Sequence, residues 1–453
     1  MVALLALVVA ALLVFAYTGR PNLLYQTECA TLDSLRTYAF VLTSAPRETK
    51  RCWRYETQQR VLLYLRRDST MAPPQAGDTI IARTRIQRGD SIGDFDYGLY
   101  LRRQGIIGTA YAGRFIHLPS VPPPRPPLQK RLYQRLKAAG LSGDELATTA
   151  ALTLGYKEDL DPSLKHRFQA SGAAHVLAVS GLHTGIIYAL LLGLLTLGGR
   201  YKPLYEDRLH GTLLSLIIIA ALWFYAWLTG LTPSVVRCAL MLTIVETGRM
   251  LHRQAISLNT IAAAAVLILF VRPLDLWSVG FQLSFAATAA IVIVARDFEP
   301  ALRRQEWQKP IGRLTSWVAG LLIVSLAAQL GTLPITMCTF GQVSNYFLLT
   351  NLIVLPITTL LVPCGLATVA LGGCWLGKAV GYITYGLAWL MNHSVAWIEG
   401  LPGSVTQVHG NGLMAALLYA AIGMGWLTVH KSLWWLSGVV CALGAFCWVY
   451  VTG

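Results

Sequence analysis

The chain has 453 residues, 55% of them hydrophobic and only 13% charged, with a mean hydropathy of +0.52. Soluble globular domains carry about 25% charged residues, so the composition excludes an ordinary soluble protein and predicts a polytopic membrane protein with some water-facing part. The net charge is +15, and between Thr18 and Ala139 there are twenty Lys/Arg against nine Asp/Glu. That concentration predicts a polyanionic partner, nucleic acid or anionic lipid headgroups.

Residues 1–17 form an apolar stretch long enough to span a bilayer with little tilt. It has no basic leading region and no clear small-x-small cleavage site, which favours a retained anchor helix over a signal peptide. Residues 18–120 change character. The runs YAFVLTSAPRET, QQRVLLYLRR and GDTIIARTRIQRGD are short and β-type, separated by Pro, Gly and Asp. They predict a small antiparallel barrel or sandwich. Cys29 and Cys52 lie in this segment and form a disulfide if it faces an oxidising compartment. The other six cysteines, in or beside apolar helices, read as small hydrophobes. Cysteine spacing matches no zinc site.

The run GDSIGDFDYGLYLRRQGIIGTAY, Gly89 to Tyr111, is a turn, then an aromatic-rich amphipathic segment, then Arg102 and Arg103, then β-type residues again. Basic and aromatic residues interleaved on a small barrel suit single-stranded nucleic acid: guanidinium groups take phosphates, and bases stack on rings such as Tyr97 and Tyr100. The competing reading packs Phe95, Tyr97 and Tyr100 into the barrel. The run VPPPRPP is a stiff linker. Residues 128–170 read as helical, amphipathic and partly interfacial, with LQKRLYQRLKAAG dividing its apolar and basic positions between two faces.

From residue 171 the chain is mostly membrane. Helices are expected near 175–197, 211–229, 233–250, 256–272, 278–295, 316–337, 346–371, 378–396, 412–429 and 432–450; with the first, that makes about eleven on the ~20-residue criterion. Pro, Gly and polar residues recur inside them, which is tolerated where backbone is buried in protein or lines a wet cavity. A pore or transporter fits better than an anchor. Arg200, Lys202 and Arg208 fall in one short loop, Arg249 and Arg253 in another, and Arg296, Arg303, Arg304, Lys309 and Arg313 in a third, while the turns at Gly230–Pro233 and Cys338–Tyr346 carry no Lys or Arg. The basic loops are therefore expected in the cytoplasm, and the soluble domain and the C-terminus outside it.

Several polar motifs sit in this apolar region. In HVLAVSGLHTGIIYALL, Ser180 and His183 are three apart and share a helix face, and Gly181 and Gly185 form a small-residue strip. Three readings stand: a hydrolase in which His183 activates Ser180, although the helix carries no acidic group to orient the base; interhelical packing; or a pore-facing polar seam. Arg237 lies inside an apolar helix, where a central arginine costs about 2.5–3.5 kcal/mol on insertion scales. It reads as functional, meeting a passing phosphate or pairing with Glu246 or Asp275. Gln282, Gln329 and Asn351 suit either bonding across helices or lining a hydrated path. Pro334 and Pro356 are expected to break two helices and free carbonyls nearby.

These runs resemble the ComEC competence family, the inner-membrane channel proteins of natural transformation. Gly93 to Ile106 is similar to a motif of its N-terminal domain, with Phe95, Asp96, Tyr97, Tyr100, Leu101, Gly105 and Ile106 at matching positions, and GDTIIARTRIQRGD looks like that family's OB-type fold. FQASGA and HVLAVSGLH resemble the transmembrane signature through Phe168, Gly172, His175, Leu177, Ala178, Ser180, Gly181, Leu182 and His183. Ser234, Arg237 and Arg249, then Pro273 and Gly280 to Ser284, then Gln329, Pro334, Phe340, Asn351 and Pro356 extend the likeness over most of residues 76–360.

The resemblance implies a polytopic α-helical membrane protein with a small extracytoplasmic, OB-like β-barrel domain. Its parts are an anchor helix at 1–17, the OB-like domain at 18–120, a linker with interfacial helices at 121–170 and a channel domain at 171–453. It implies a channel in the cytoplasmic (inner) membrane of a bacterium that passes single-stranded DNA, with His175, Ser180, His183, Arg237, Gln282, Gln329 and Asn351 along its path. A cytoplasmic helicase-like motor and an outer DNA receptor are implied partners. Many relatives carry a C-terminal metallo-β-lactamase-like domain. This chain has no His-x-His-x-Asp-His run and no P-loop, so neither nuclease nor ATPase chemistry and no cofactor is expected. The nuclease is part of a longer chain, or it is a separate nuclease, or strand degradation occurs elsewhere, three alternatives that stay open. The rivals are a small-solute transporter, for which no internal repeat is found, a hydrolase using Ser180 and His183, and a membrane-anchored module for lipid headgroups or polysaccharide.

Overall fold

The computed structural model describes residues 35–43, 46–49, 51–67, 71–87, 91–92, 95–98, 101, 106–120, 128–177, 179–195, 208–251, 258–302, 310–408, 410 and 414–422. The chain divides into a β-rich unit, Val8–Pro126 with Arg272–Ser278, and a helical unit formed by the remainder. Several sequence expectations lie outside the described residues: the helices at 1–17 and 432–450, Cys29, Tyr100, Arg102, Arg103, Ala178, and the loop bases Arg200, Lys202, Arg253, Arg303, Arg304 and Lys309.

In the β-rich unit, β1 (Arg36–Val41), β2 (Arg47–Glu48), β3 (Cys52–Glu56), β4 (Val61–Arg66), β5 (Thr79–Thr84), β6 (Ile86–Gln87), β7 (Ser91–Ile92), β8 (Phe95–Asp96), β9 (Gly108–Ala112) and β10 (Ile116–Leu118) follow in order. One sheet runs β1-β5-β10 and a second β2-β3-β4-β9-β6; β7 and β8 form a separate ribbon. Period-two alternation sends Phe40, Trp53, Tyr55, Val61, Leu63, Leu65, Ile80, Ala82, Ala110 and Ala112 into one shared core. The strands do not all pair antiparallel, as their spacing predicts: β4 and β9 are parallel. A parallel pair needs a long crossover, and residues 67–107, which carry four short strands, supply it.

Asp78 fastens the start of β5 to the end of the unit. Its carboxylate is buried and accepts from the backbone N–H of Gln75 at 2.7 Å, the backbone N–H of Ser120 at 2.9 Å and the Ser120 hydroxyl at 3.1 Å, with His117 Nε2 at 2.7 Å. Burial works against its charge, but these hydrogen bonds outweigh burial and hold its pKa below the ordinary carboxylate value. Cys52, in β3, is a half-buried thiol.

The helical unit contains α1 (Leu128–Ala138), α2 (Gly143–Leu154), α3 (Pro162–Ala170), α4 (Ala174–Leu177), α5 (Gly181–Leu195), α6 (Arg208–Leu228), α7 (Pro233–Met250), α8 (Leu258–Val271), α9 (Val279–Leu302), α10 (Pro310–Phe340), α11 (Phe347–Leu371) and α12 (Trp375–Glu399). Residues 414–422 are also helical. Segments His210–Leu228, Thr315–Phe340 and Phe347–Leu371 are long and apolar enough to cross a membrane; Gly181–Leu195, Leu258–Val271 and Val279–Ala295 are apolar but shorter.

Four local expectations are corrected. The helix predicted to start at His175 is divided into α4 and α5, so Ser180 precedes α5 instead of lying on its face. Pro334 and Pro356 do not break their helices: both lie inside continuous α10 and α11. One residue past Leu330, whose carbonyl Pro334 leaves without its helical donor, the Gly331 carbonyl accepts the Tyr419 hydroxyl at 2.8 Å. A Cβ at Gly181 would stand 3.7 Å from Cys238, whereas one at Gly185 would meet no other element within 4 Å among the described residues, so the two do not form one contact strip. Finally, α2 is buried from Leu146 through Leu154. A helix covered on all sides belongs to a core, and Thr148 donates to Asn392 Oδ1 in α12 at 2.9 Å.

Candidate functional site

The N-terminus of α5 answers why its most polar residues come first. The Ser180 carbonyl accepts the Thr184 N–H, which makes Ser180 the N-cap. His183, three residues on, turns its ring back: Nδ1 lies 3.1 Å from the Ser180 backbone N and 3.0 Å from the Ser180 hydroxyl. This is the return half of a capping box, with imidazole in the place usually taken by Glu or Gln. Because Nδ1 accepts a backbone N–H, the ring proton resides on Nε2. That Nε2–H is buried, and it has no hydrogen-bond partner among the described residues.

Two further helix starts meet α5 there. Gly181 touches Cys238 in the second turn of α7, and the Cys238 thiol donates to the Gly181 carbonyl at 3.4 Å. Arg237, the neighbouring residue, is 6% exposed, and its Nη2 donates to the Gly280 carbonyl in the first turn of α9 at 3.0 Å. Gln282 follows in the same turn, half-buried. Ser180 and His183 thus sit at the start of α5, which Gly181 joins to α7, and Arg237 joins α7 to the start of α9, where Gln282 lies. Helix N-termini carry a partial positive charge, and the guanidinium adds a full one. The grouping is chemically an anion-favouring spot inside apolar helices.

The expected pairing of Arg237 with Glu246 does not form. Nine residues of helix separate them by about 13.5 Å, and Glu246 is occupied elsewhere. Its Oε1 accepts from Tyr188 Oη at 2.5 Å and Arg249 Nη1 at 2.7 Å, and its Oε2 from Ser215 at 2.7 Å. This fully buried carboxylate joins α5, α6 and α7. With Gly181 against Cys238 and Tyr188 against Glu246, α5 and α7 run parallel, and α6 returns between their far ends. The sequence reading missed this hub, although an acid in an apolar helix with an arginine three residues later is a visible signal. Asp275, the other proposed partner, faces Arg272 at 3.8 Å.

His175 sits in α4 with Nδ1 3.1 Å from the Gly172 carbonyl and lies within electrostatic range of His183. The remaining candidates lie on other elements. Asn351 is nearly buried in α11, one residue past Thr350, which donates to the Ser171 carbonyl at 2.6 Å. Its Oδ1 has no partner among the described residues. Gln329 is half-buried in α10. In the β-rich unit Tyr97 is half-buried; burial raises its phenol pKa, a hydrogen bond with Tyr64 adds to the rise, and Arg54 opposes it. Among the described residues no three His, Cys, Asp or Glu side chains gather to hold a metal ion.

A helical unit with this signature at the start of α5 belongs to a known class. The Competence protein family model matches residues 152–434, more than half of the chain, and the chain belongs to that family. It is 29% identical over 320 residues to "ComE operon protein 3" of Bacillus subtilis (strain 168), covering 70% of this chain and 38% of that protein. It is 23% identical over 329 residues to "Recombination protein 2" of Haemophilus influenzae (strain ATCC 51907 / DSM 11121 / KW20 / Rd), covering 71% and 39%. With "Competence protein ComA" of Neisseria gonorrhoeae it shares 27% identity over 215 residues, 47% and 30%. The matches span well under half the length of these relatives. No solved structure matches the chain.

Proposed function

We propose that this protein passes single-stranded DNA across the cytoplasmic membrane of a bacterium during natural transformation. Family membership supports a role in DNA uptake, and the names of the relatives, competence and recombination proteins, fit it. The observation that carries the reading is the buried Nε2–H of His183, without a partner among the described residues, at the N-terminus of α5, the helix end that Gly181 joins to the α7 segment carrying Arg237. An unsatisfied buried donor costs about 1–3 kcal/mol, a cost that packing alone does not explain. A passing phosphate would satisfy the donor and the positive field together.

In this reading the helical unit spans the inner membrane with about eleven helices, the basic loops lie in the cytoplasm, and the β-rich unit is an extracytoplasmic OB-like domain that captures the strand. Arg102 and Arg103 contact phosphates there. Gln282, Gln329 and Asn351 border the path. The chain itself is a channel without catalytic chemistry; a helicase-like motor, an outer DNA receptor and a separate nuclease act with it. The test is transformation frequency in the native host with Arg237→Ala and His183→Phe, normalised to membrane-inserted protein. A drop of roughly tenfold matches one lost charge-assisted contact of about 1.4 kcal/mol. Wild-type frequency at wild-type protein level overturns the path assignment.

One observation favours a second reading. The Ser180 hydroxyl lies 3.0 Å from His183 Nδ1, within reach of a nucleophile–base pair. That reading requires Ser180→Ala to abolish function.

A further inference from the structure

The five-stranded sheet has a second face, turned away from the core. The β3–β4 ladder sets Arg54 opposite Tyr64, and the β4–β9 ladder sets Tyr64 beside Tyr111. The three residues thus form one row across three adjacent strands, with neighbours about 4.8 Å apart. Their strand neighbours Trp53, Tyr55, Leu63, Leu65, Ala110 and Ala112 all point into the core, which fixes the row on the outside.

The row is open at one end and closed at the other. Tyr111 is 56% exposed, while Arg54 and Tyr64 are half-buried. Two residues along β4, Arg66 is exposed on the same face. In the other direction Leu62 is covered, and Glu56, exposed, lies across the ladder from it. The carboxylate disfavours an anion on that side of the row, so its basic side is the one toward Arg66. Tyr97 reaches the row, bonded to Tyr64 and within the field of Arg54.

We infer that the Arg54–Tyr64–Tyr111 row is a binding face for single-stranded nucleic acid, with an unstacked base on the Tyr111 ring and phosphates on Arg54 and Arg66. A solvent-facing ring flanked by guanidinium groups matches a polyanion that carries flat, exposed bases. A duplex hides its bases in the stack, and a lipid headgroup has no ring to stack. This inference rests on the proposed role of the β-rich unit in strand capture and names the surface responsible.

The test uses the full-length protein in nanodiscs and a fluorescent oligothymidylate, with anisotropy followed across a salt series. Tyr111→Ala is expected to weaken binding about tenfold and leave the salt slope unchanged, because it removes stacking only. Arg54→Gln is expected to lower the slope of log affinity against log salt by about 0.7, one phosphate contact on a single strand. Tyr111→Phe, which keeps the ring, and Ile116→Ser, at an exposed position of the other sheet, should bind like wild type. If wild type binds but Tyr111→Ala and Arg54→Gln match it, the row is wrong and strand capture survives elsewhere. If wild type shows no salt-sensitive binding, strand capture by the β-rich unit fails, and the row fails with it.

Discussion

His183 Nδ1 serves Ser180 twice, lying 3.1 Å from its backbone nitrogen and 3.0 Å from its hydroxyl oxygen. The imidazole thereby caps a helix that starts among apolar neighbours, where a neutral acceptor avoids the cost of burying a carboxylate. Capping interactions contribute about 1 kcal/mol. Ser180→Ala keeps the backbone N–H bond and should leave both thermal stability and transformation near wild type. His183→Ala should lower the melting temperature, and His183→Gln should restore much of it, since glutamine also serves at this capping position. Complete loss of function in Ser180→Ala, with normal melting, would favour the hydrolase instead.

Glu246 and Arg249 differ in how well they tolerate loss. The carboxylate is fully buried, while the Arg249 side chain is 26% exposed. Arg249→Met removes the cationic donor from a buried carboxylate that keeps its bonds from Tyr188 and Ser215, at an expected cost of about 1–3 kcal/mol. Adding Glu246→Gln should recover part of that loss, because the uncompensated charge is gone. Melting of the single and double variants in detergent checks this; a double variant less stable than Arg249→Met contradicts it.

Gly331 brings α10 close to α9. A Cβ there would stand 2.7 Å from Ala290 Cβ and 2.8 Å from the Ala286 carbonyl. Gly331→Leu should force the two helices apart and destabilise the protein by about 1–3 kcal/mol or more. Gly185→Ala, at a position with open space around it, should be near neutral. Comparable melting of the two variants would show that the α9–α10 contact is not tight.

Asp78 predicts an acid limit for the β-rich unit. Its folded pKa is held below the unfolded value, so its stabilising contribution is fully present above the unfolded pKa of about 3.9 and is lost as pH falls through the lower, folded value. Wild type should therefore lose stability steeply only below about pH 4. Asp78→Asn should be less stable at neutral pH and show a shallower acid decline. Thermal melts across pH test both parts; parallel profiles for wild type and variant would rule the linkage out.

The sequence legibly carries what depends on neighbouring residues. Alternation in VLLYLRR and TIIARTR marks β4 and β5, whose edges coincide with turn residues. The apolar runs at 347–371 and 208–228 announce helices of nearly the observed length. The order of the motifs around Ser180, Arg237 and Gly280 was enough to indicate the family. In each case the signal is local: side-chain period, turn chemistry, or a short string of residue types.

Only the tertiary structure decided how these pieces meet. Ser180 caps α5 because the chain divides between α4 and α5, not because it shares a face with His183. The Tyr188–Glu246 bond spans 58 residues and the Thr148–Asn392 bond 244. The parallel pairing of β4 with β9 depends on a crossover that local β propensity does not encode. Burial of α2 on every side, the continuity of helices through Pro334 and Pro356, and the row from Arg54 to Tyr111 follow from the same cause. Each depends on a partner distant in sequence, and local periodicity states that a face is apolar or polar without stating what will lie against it.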